Sequence, residues 1–154
     1  MNEYNKITLA GDMLVQAVHN YHRSQKDSDY ITSILLAGAV IDIIAPLLTE
    51  LGMKSSQTSL AELSEAMVES SEASSHKKKA KWFYRRIYNS LKHAGAKETP
   101  ASQDLTLCAD LKNEAEFLIS HAVGDYSNIP EPYITQEDIN KKMSYDLLDI
   151  LQSW

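Results

Sequence analysis

Residues 30–51 read YITSILLAGAVIDIIAPLLTEL, and this stretch decides the fold class. Because it is apolar on nearly every side, it predicts a helix at the centre of a helical bundle, since a surface helix would show one polar face. The small residues at 37–39 predict close approach by a neighbouring helix. Gly52 follows the stretch and suits the C′ position of a helix end. Pro46 lacks an N–H group, which predicts a kink near Asp42 or a break in the helix.

The same stretch favours a buried helix of a soluble protein over a membrane span. A transmembrane helix needs about 20 mostly apolar residues, whereas residues 31–48 are interrupted by polar side chains, and a carboxylate such as Asp42 is costly inside a bilayer. The start of the chain lacks the basic and apolar pattern of a signal peptide. Cys108 is the single cysteine, so no intrachain disulfide forms. These features predict a cytoplasmic protein with no membrane partner.

Helical periodicity extends through the rest of the chain. Apolar residues recur at three- and four-residue steps and predict helices at 7–23, 60–68, 76–94, 104–123 and 135–152. Ser59 and Glu62 match a capping box at the start of the short helix 60–68. Turn-forming Gly (5) and Pro (4) are scarce, which disfavours an all-β fold. The 154 residues are therefore predicted to form one all-α domain, 1–154, an up-and-down antiparallel bundle of four long helices plus a short one.

Charge is distributed unevenly along the chain, whose net charge is −6. Residues 76–97 contain eight of the 15 Lys and Arg residues and none of the 21 Asp and Glu residues, so the rest of the chain carries −14. A concentrated positive field attracts polyanions such as RNA or nucleotides, and interleaved aromatic rings can stack on bases. The predicted nucleic-acid-binding residues are Lys78, Lys81, Trp82, Arg85 and Lys92. The alternative is a solvated basic face that neutralises acidic helices.

A polar triplet within this segment suggests catalysis. On a helix, Arg86, Asn89 and His93 are separated by three and four residues and share one edge. Such a set can cleave RNA without a metal, because His moves a proton at the ribose 2′-hydroxyl or leaving oxygen, and Arg stabilises the charged phosphorane. The alternative is an ordinary basic surface. Because a lone buried carboxylate is costly, Asp42 must reach a donor, pair with a base or remain at an open rim, and Arg86 or His93 on the basic helix is an attractive partner.

A metal site is a weaker hypothesis. His19 and His22 lie three residues apart on the first predicted helix, with Asp12 on the same face, and His121 could complete a ligand set. Cys108 lies on the apolar stripe of its predicted helix and is expected to be a packed thiol. The chain has no glycine-rich phosphate loop, no nucleophile elbow and no paired-cysteine zinc motif. No metal or other cofactor is therefore predicted.

Two segments resemble the HEPN superfamily of higher eukaryote and prokaryote nucleotide-binding domains. Residues 36–44, LAGAVIDII, look like the second bundle helix of bacterial HEPN-like proteins, where small residues precede an acidic position. Residues 86–93, RIYNSLKH, resemble the superfamily signature of an Arg, four to six residues and a His, with a polar residue between. The stretch 114–126 also fits the general pattern. In the commonest form of the signature the Arg directly precedes the Asn, where this chain has Tyr88.

The resemblance implies an all-α bundle that is frequently a homodimer, with the motifs of two protomers meeting at a cleft. Active members are metal-independent endoribonucleases of toxin–antitoxin, phage-defence and RNA-processing systems. Other members bind nucleotides or a partner protein such as a nucleotidyltransferase, and an antitoxin is the corresponding partner of a toxin. On this reading the catalytic positions fall on Asp42, Arg86, Asn89 and His93. The noncatalytic alternative is an interaction module that uses the basic helix to hold an acidic partner.

Overall fold

The computed structural model describes residues 2–66, 80, 83–93, 100–134 and 154. Its α-helices are α1 Lys6–Arg23, α2 Asp27–Glu50, α3 Ser56–Ala66, α4 Arg86–Lys92 and α5 Leu111–Ser127. Short 3₁₀ helices cover Ala101–Gln103 and Glu131–Tyr133. Because the described ranges contain helices and no strand, the predicted all-α class is confirmed.

The hydrophobic core is built around α2, which packs against α1, α5 and α4. Fully buried side chains from three helices meet there, among them Leu14, Ile41 and Leu118. Removing each such side chain from water stabilises the fold by about 1.5–3 kcal/mol. By length and composition alone α2 could also cross a bilayer, a test that the core helix of a soluble protein passes as well. Among the described helices it is the one that meets this test.

Hydrogen bonds set the direction of α1 relative to its neighbours. The Ser33 hydroxyl, near the start of α2, donates to the carbonyl of Ala17, near the end of α1, at 2.8 Å. The Tyr21 hydroxyl, also near the end of α1, donates to Glu116 in the first half of α5 at 2.8 Å. Therefore α1 runs antiparallel to both α2 and α5.

The short helix α4 lies along the middle of α2. Arg85, directly before α4, pairs with Asp42, whereas Tyr88, one turn further along, lies on Gly38. Lys92, one turn beyond Tyr88, again approaches Asp42, at 3.7 Å, so α4 packs on the Gly38–Asp42 face of α2. The predicted up-and-down bundle of four long helices plus a short one stays a prediction. The predicted last helix, 135–152, lies outside the described residues.

Helix ends follow local hydrogen bonding. The Asn5 side chain accepts from the backbone N–H groups of Ile7 and Thr8 and so caps α1. Gly52 has a φ of 72° directly after α2, a conformation that glycine adopts without strain. The predicted cap of α3 is wrong: Ser55 accepts from the N–H of Thr58 at 3.3 Å, and the helix begins three residues before Ser59.

Three other predicted features need correction. A break of α2 at Pro46 is wrong, because the helix continues to Glu50, and a local kink stays a prediction. The helix predicted to start at residue 104 begins at Leu111, because Asp110 caps it, and Cys108 is exposed instead of packed. The helix predicted over 76–94 is interrupted by a turn at Arg85 in its described part, and α4 starts after this turn.

Candidate functional site

The face of α2 that carries Gly38 and Asp42 contacts α4. These residues are four apart, so they lie one above the other on the same side of the helix. The ring of Tyr88 fills the space where a side chain at position 38 would start, which glycine alone leaves open. From there the Tyr88 hydroxyl reaches one turn along α2 and donates to Asp42 Oδ2 at 2.8 Å. Gly38 therefore determines how closely α4 approaches.

Asp42 is surrounded by donors from one short segment. The Arg85 guanidinium forms a hydrogen-bonded ion pair with Asp42 Oδ1. Lys92 Nζ lies 3.7 Å from Asp42 Oδ2 and donates to the Tyr88 hydroxyl at 3.2 Å. Both cations also face the Tyr88 ring, at 5.1 Å for Arg85 and 4.6 Å for Lys92. The carboxylate is thus neutralised within the chain, and two cations share one anion.

The electrostatics of Tyr88 follow from this arrangement. Burial raises the pKa of the Tyr88 hydroxyl above its ordinary value, and the hydrogen bond to Asp42 raises it further. The hydrogen bond from Lys92 opposes this increase. Tyr88 therefore stays protonated and acts as a hydrogen-bond donor to Asp42 at neutral pH.

The expected partner of Asp42 was on the correct segment but at the wrong residue. Arg85 pairs with Asp42, whereas the sequence suggested Arg86 or His93. The physical reason is the packing of Tyr88, because a residue three before it and a residue four after it share its helical face. Arg85 and Lys92 occupy these two positions, whereas the next residue, Arg86, lies about 100° further around the helix axis.

Arg86 instead belongs to an exposed groove between α4 and the start of α5. Its guanidinium lies 5.7 Å from the ring of Phe83, which is 62% exposed. The rings of Tyr84 and Phe117, which also line the groove, are stacked with their centroids 5.9 Å apart. Burial raises the pKa of Glu114, and the nearby Arg86 charge opposes this shift. The groove has a volume of about 350 Å³ and presents a cation beside flat aromatic surfaces.

The other predicted site residues have distinct placements. Asn89 lies within α4 and is half-buried, whereas His93 is exposed and occupies the C-cap with an extended backbone. The N–H of His93 still donates to the carbonyl of Asn89 at 3.1 Å, so the helix that the proposed Arg86–Asn89–His93 edge assumes ends at His93. The predicted nucleic-acid-binding residues Lys78, Lys81 and Trp82 lie outside the described residues.

Two of the three His residues considered as metal ligands, His22 and His121, make other contacts. Over the described part of the chain, no group of three or more His, Cys, Asp or Glu side chains is arranged to hold a metal ion. His22 packs against the ring of Trp154 at 5.6 Å, and His121 Nδ1 lies 2.6 Å from the carbonyl oxygen of Phe117. The hypothesis of a site formed by His19, His22 and His121 is therefore wrong.

Comparison of the chain with protein-family models, curated proteins and solved structures finds no significant match. The resemblance to HEPN proteins thus rests on the residues quoted above. Sequence reasoning missed Tyr88 as the residue that joins the α2 face to the basic segment. Its spacing from Arg85 and Lys92, three and four residues, was the available signal.

Proposed function

We propose that this protein binds RNA or nucleotides through the surface formed by α4 and the basic segment before it. The observation that carries this proposal is the exposed pair of Phe83 and Arg86. An exposed ring offers a stacking surface for a base, and the adjacent guanidinium can bind phosphate in a bidentate manner. Lys92 and His93 are exposed on the same short segment and add positive or titratable groups.

Fluorescence anisotropy with labelled single-stranded RNA tests this proposal. Wild type should bind at low salt and lose affinity at physiological salt. Phe83→Ala and Arg86→Ala should each weaken binding, whereas Lys112→Ala, at an exposed position of α5, is a matched control that should bind like wild type. Absence of binding at low salt would end the nucleic-acid proposal.

A metal-independent endoribonuclease activity is the more specific form of the proposal. It is supported by the HEPN-like signature residues Arg86, Asn89 and His93, together with the acidic position Asp42. RNA incubated with wild type in EDTA should be cleaved, and His93→Ala should abolish cleavage while leaving binding largely intact. Arg86→Ala should weaken both, because the guanidinium contacts phosphate before and during the reaction. RNA that stays intact with wild type contradicts this activity.

A noncatalytic interaction module is the second candidate, and the state of Asp42 favours it. A carboxylate that Arg85 and Lys92 already neutralise and that accepts from Tyr88 serves structure, and His93 is the C-cap residue at which the helix ends. In this form the basic surface binds an acidic partner protein, such as an antitoxin or a nucleotidyltransferase.

We also propose a homodimer, as in HEPN-like proteins, which sedimentation velocity tests directly. A monomer at high micromolar concentration would count against dimerisation.

A further inference from the structure

A second pocket is lined by the C-terminal half of α2, the start of α3 and Arg85. Its volume is about 320 Å³. From α2 the lining includes apolar side chains together with the polar Asp42 and Thr49, and the start of α3 and Arg85 add further polar groups. The lining residues that matter here are Ile41, Asp42, Ala45, Pro46, Gln57 and Arg85.

Two hydrogen-bond donors in this lining have no acceptor within the described structure. They are the side-chain amide nitrogen Nε2 of Gln57 and the guanidinium Nε of Arg85. Gln57 is only 7% exposed, so the amide is held in place by its surroundings. Buried donors are almost always hydrogen-bonded, because leaving one unsatisfied forfeits the bonds it would make to water. Two such donors beside one pocket indicate that the pocket receives an acceptor-rich molecule.

The charges around the pocket favour an anion. The pocket lining carries one cation, Arg85, and one anion, Asp42, and Lys92 lies outside the lining but adds a second cation 3.7 Å from Asp42 Oδ2. The pocket also includes the N-terminal end of α3, where the helix dipole favours negative charge. The unpartnered Gln57 donor is an observation independent of that helix end.

We propose that this pocket binds a small organic oxyanion, a phosphate monoester or a carboxylate. The anionic oxygens accept from Gln57 Nε2 and Arg85 Nε, and the apolar part of the molecule packs against Ile41, Ala45 and Pro46. Phe83 and Arg86 line a different groove, although Arg85 also belongs to the basic segment before α4, so the Arg86→Ala variant is needed to tell the two sites apart. This pocket goes beyond the proposed function and is tested separately from it.

Nuclear magnetic resonance observes both donors directly. In ¹⁵N-labelled protein, the side-chain amide signal of Gln57 and the Nε–H signal of Arg85 are followed during three titrations at constant ionic strength. The probes are inorganic phosphate, adenosine 5′-monophosphate and sodium acetate, with chloride as the reference salt. Saturable shifts of both signals with at least one probe are expected. Saturation by the two phosphates identifies the phosphate class, and saturation by acetate identifies the carboxylate class.

Gln16 provides a matched control, because its amide already donates to Asn20 at 2.9 Å on the exposed side of α1. Gln57→Met removes the donor at similar volume and should abolish the saturable shift of Arg85, whereas Gln16→Met should keep it. Arg86→Ala should weaken RNA binding and leave the phosphate titration unchanged. If Gln57→Met does not fold, the wild-type titrations decide alone. Linear shifts spread over many exposed signals, or no shift at either donor, would overturn the proposal.

Discussion

At the scale of single residues, Tyr88 connects two features that the sequence shows separately: the small residue Gly38 and the acidic residue Asp42. A buried Tyr hydroxyl needs a partner, and Asp42 provides one at 2.8 Å. The Tyr88 ring needs space against α2, and Gly38 provides that space because it has no side chain. This packing explains why Arg85 and not Arg86 reaches Asp42, and it makes Gly38 a position where added volume should be harmful.

Gly38→Ala is therefore expected to destabilise the protein although alanine favours helix formation. Helix propensity alone would stabilise this variant by about 1 kcal/mol, but the added methyl group collides with the Tyr88 ring, and such overpacking costs about 1–3 kcal/mol. Urea unfolding monitored by circular dichroism measures the free energy of unfolding. A net gain in stability would contradict the packing described here.

A double-mutant cycle separates this collision from general effects. In a Tyr88→Ala background the ring is gone, so Gly38→Ala should become neutral or stabilising there. Tyr88→Phe keeps the ring and removes only the hydroxyl, so Gly38→Ala should stay harmful in that background. Equal effects of Gly38→Ala in all three backgrounds would show that the ring is not the cause.

At the scale of helices, the long apolar patterns were sufficient for prediction and the short polar signals were not. The patterns over 7–23 and 30–51 predicted α1 and α2 because burial imposes a continuous periodicity. The pattern over 104–123 failed at its start because apolar residues there are exposed, with Leu105 at 78%. A single cap at Asp110 determines where α5 begins. The partner of Asp42 is Arg85 instead of the expected Arg86 or His93, since the spacing of Arg85 and Lys92 around Tyr88 was not recognised as the signal.

The Asp110 cap leads to a simple test. Its carboxylate accepts from the N–H of Asn113 at 3.1 Å and from the Asn113 side chain at 2.8 Å. Asp110→Ala should lower the free energy of unfolding by about 1 kcal/mol. Asp110→Asn is the matched control, because asparagine caps helices as well as aspartate does, and it should change stability little. Thermal unfolding of both variants checks the difference, and equal losses would argue against capping.

The junction of α3 and α5 predicts a pH dependence. Asp125 is fully buried and accepts from the N–H of Ser56 at 2.6 Å, while its Oδ2 has no partner in the described structure. Burial raises the pKa of its carboxyl above the ordinary value, and the hydrogen bonds from Ser56 and the charge of the half-buried His121 oppose this rise. The native state thus keeps a proton that the unfolded state has already released.

The Asp125 contribution to stability should therefore fall as the pH rises from the ordinary carboxyl pKa through the raised one. Asp125→Asn keeps an acceptor for Ser56 and removes the titration. As the pH rises, the free energy of unfolding of wild type should fall relative to that of Asp125→Asn. Chemical denaturation of both proteins from pH 3 to pH 7 measures this change. Subtracting the two curves removes the separate contribution of Glu114, whose pKa burial also raises. A difference that does not vary with pH would refute the assignment.

At the scale of the whole molecule, opposite charges are concentrated in different parts of one chain. Residues 76–97 hold eight basic and no acidic residues, whereas the chain as a whole carries −6. Such a distribution has two physical uses: it attracts polyanions to one side, or it neutralises acidic helices of the same molecule or of a second copy. Asp42 shows that internal neutralisation already takes up part of the positive charge of Arg85 and Lys92. Whether the remaining basic residues of 76–97 bind polyanions or neutralise acidic helices therefore has to be tested with variants of those residues.

A charge-reversal variant of Lys78 and Lys81 separates the two uses. If these bases bind RNA, their replacement by Glu should greatly reduce affinity and flatten its salt dependence, while the melting temperature stays near that of wild type. Counterion release predicts that the logarithm of the wild-type binding constant falls linearly with the logarithm of salt concentration, between about 50 and 200 mM, with a slope that scales with the number of phosphates neutralised.

Lys26→Glu with Lys112→Glu, at two exposed positions outside the basic segment, is the matched control for net charge. If instead the bases neutralise acidic helices, the Lys78/Lys81 variant should melt at lower temperature than this control, and wild type should show no RNA binding even at low salt. Anisotropy and thermal unfolding of the same three proteins therefore give opposite results under the two explanations.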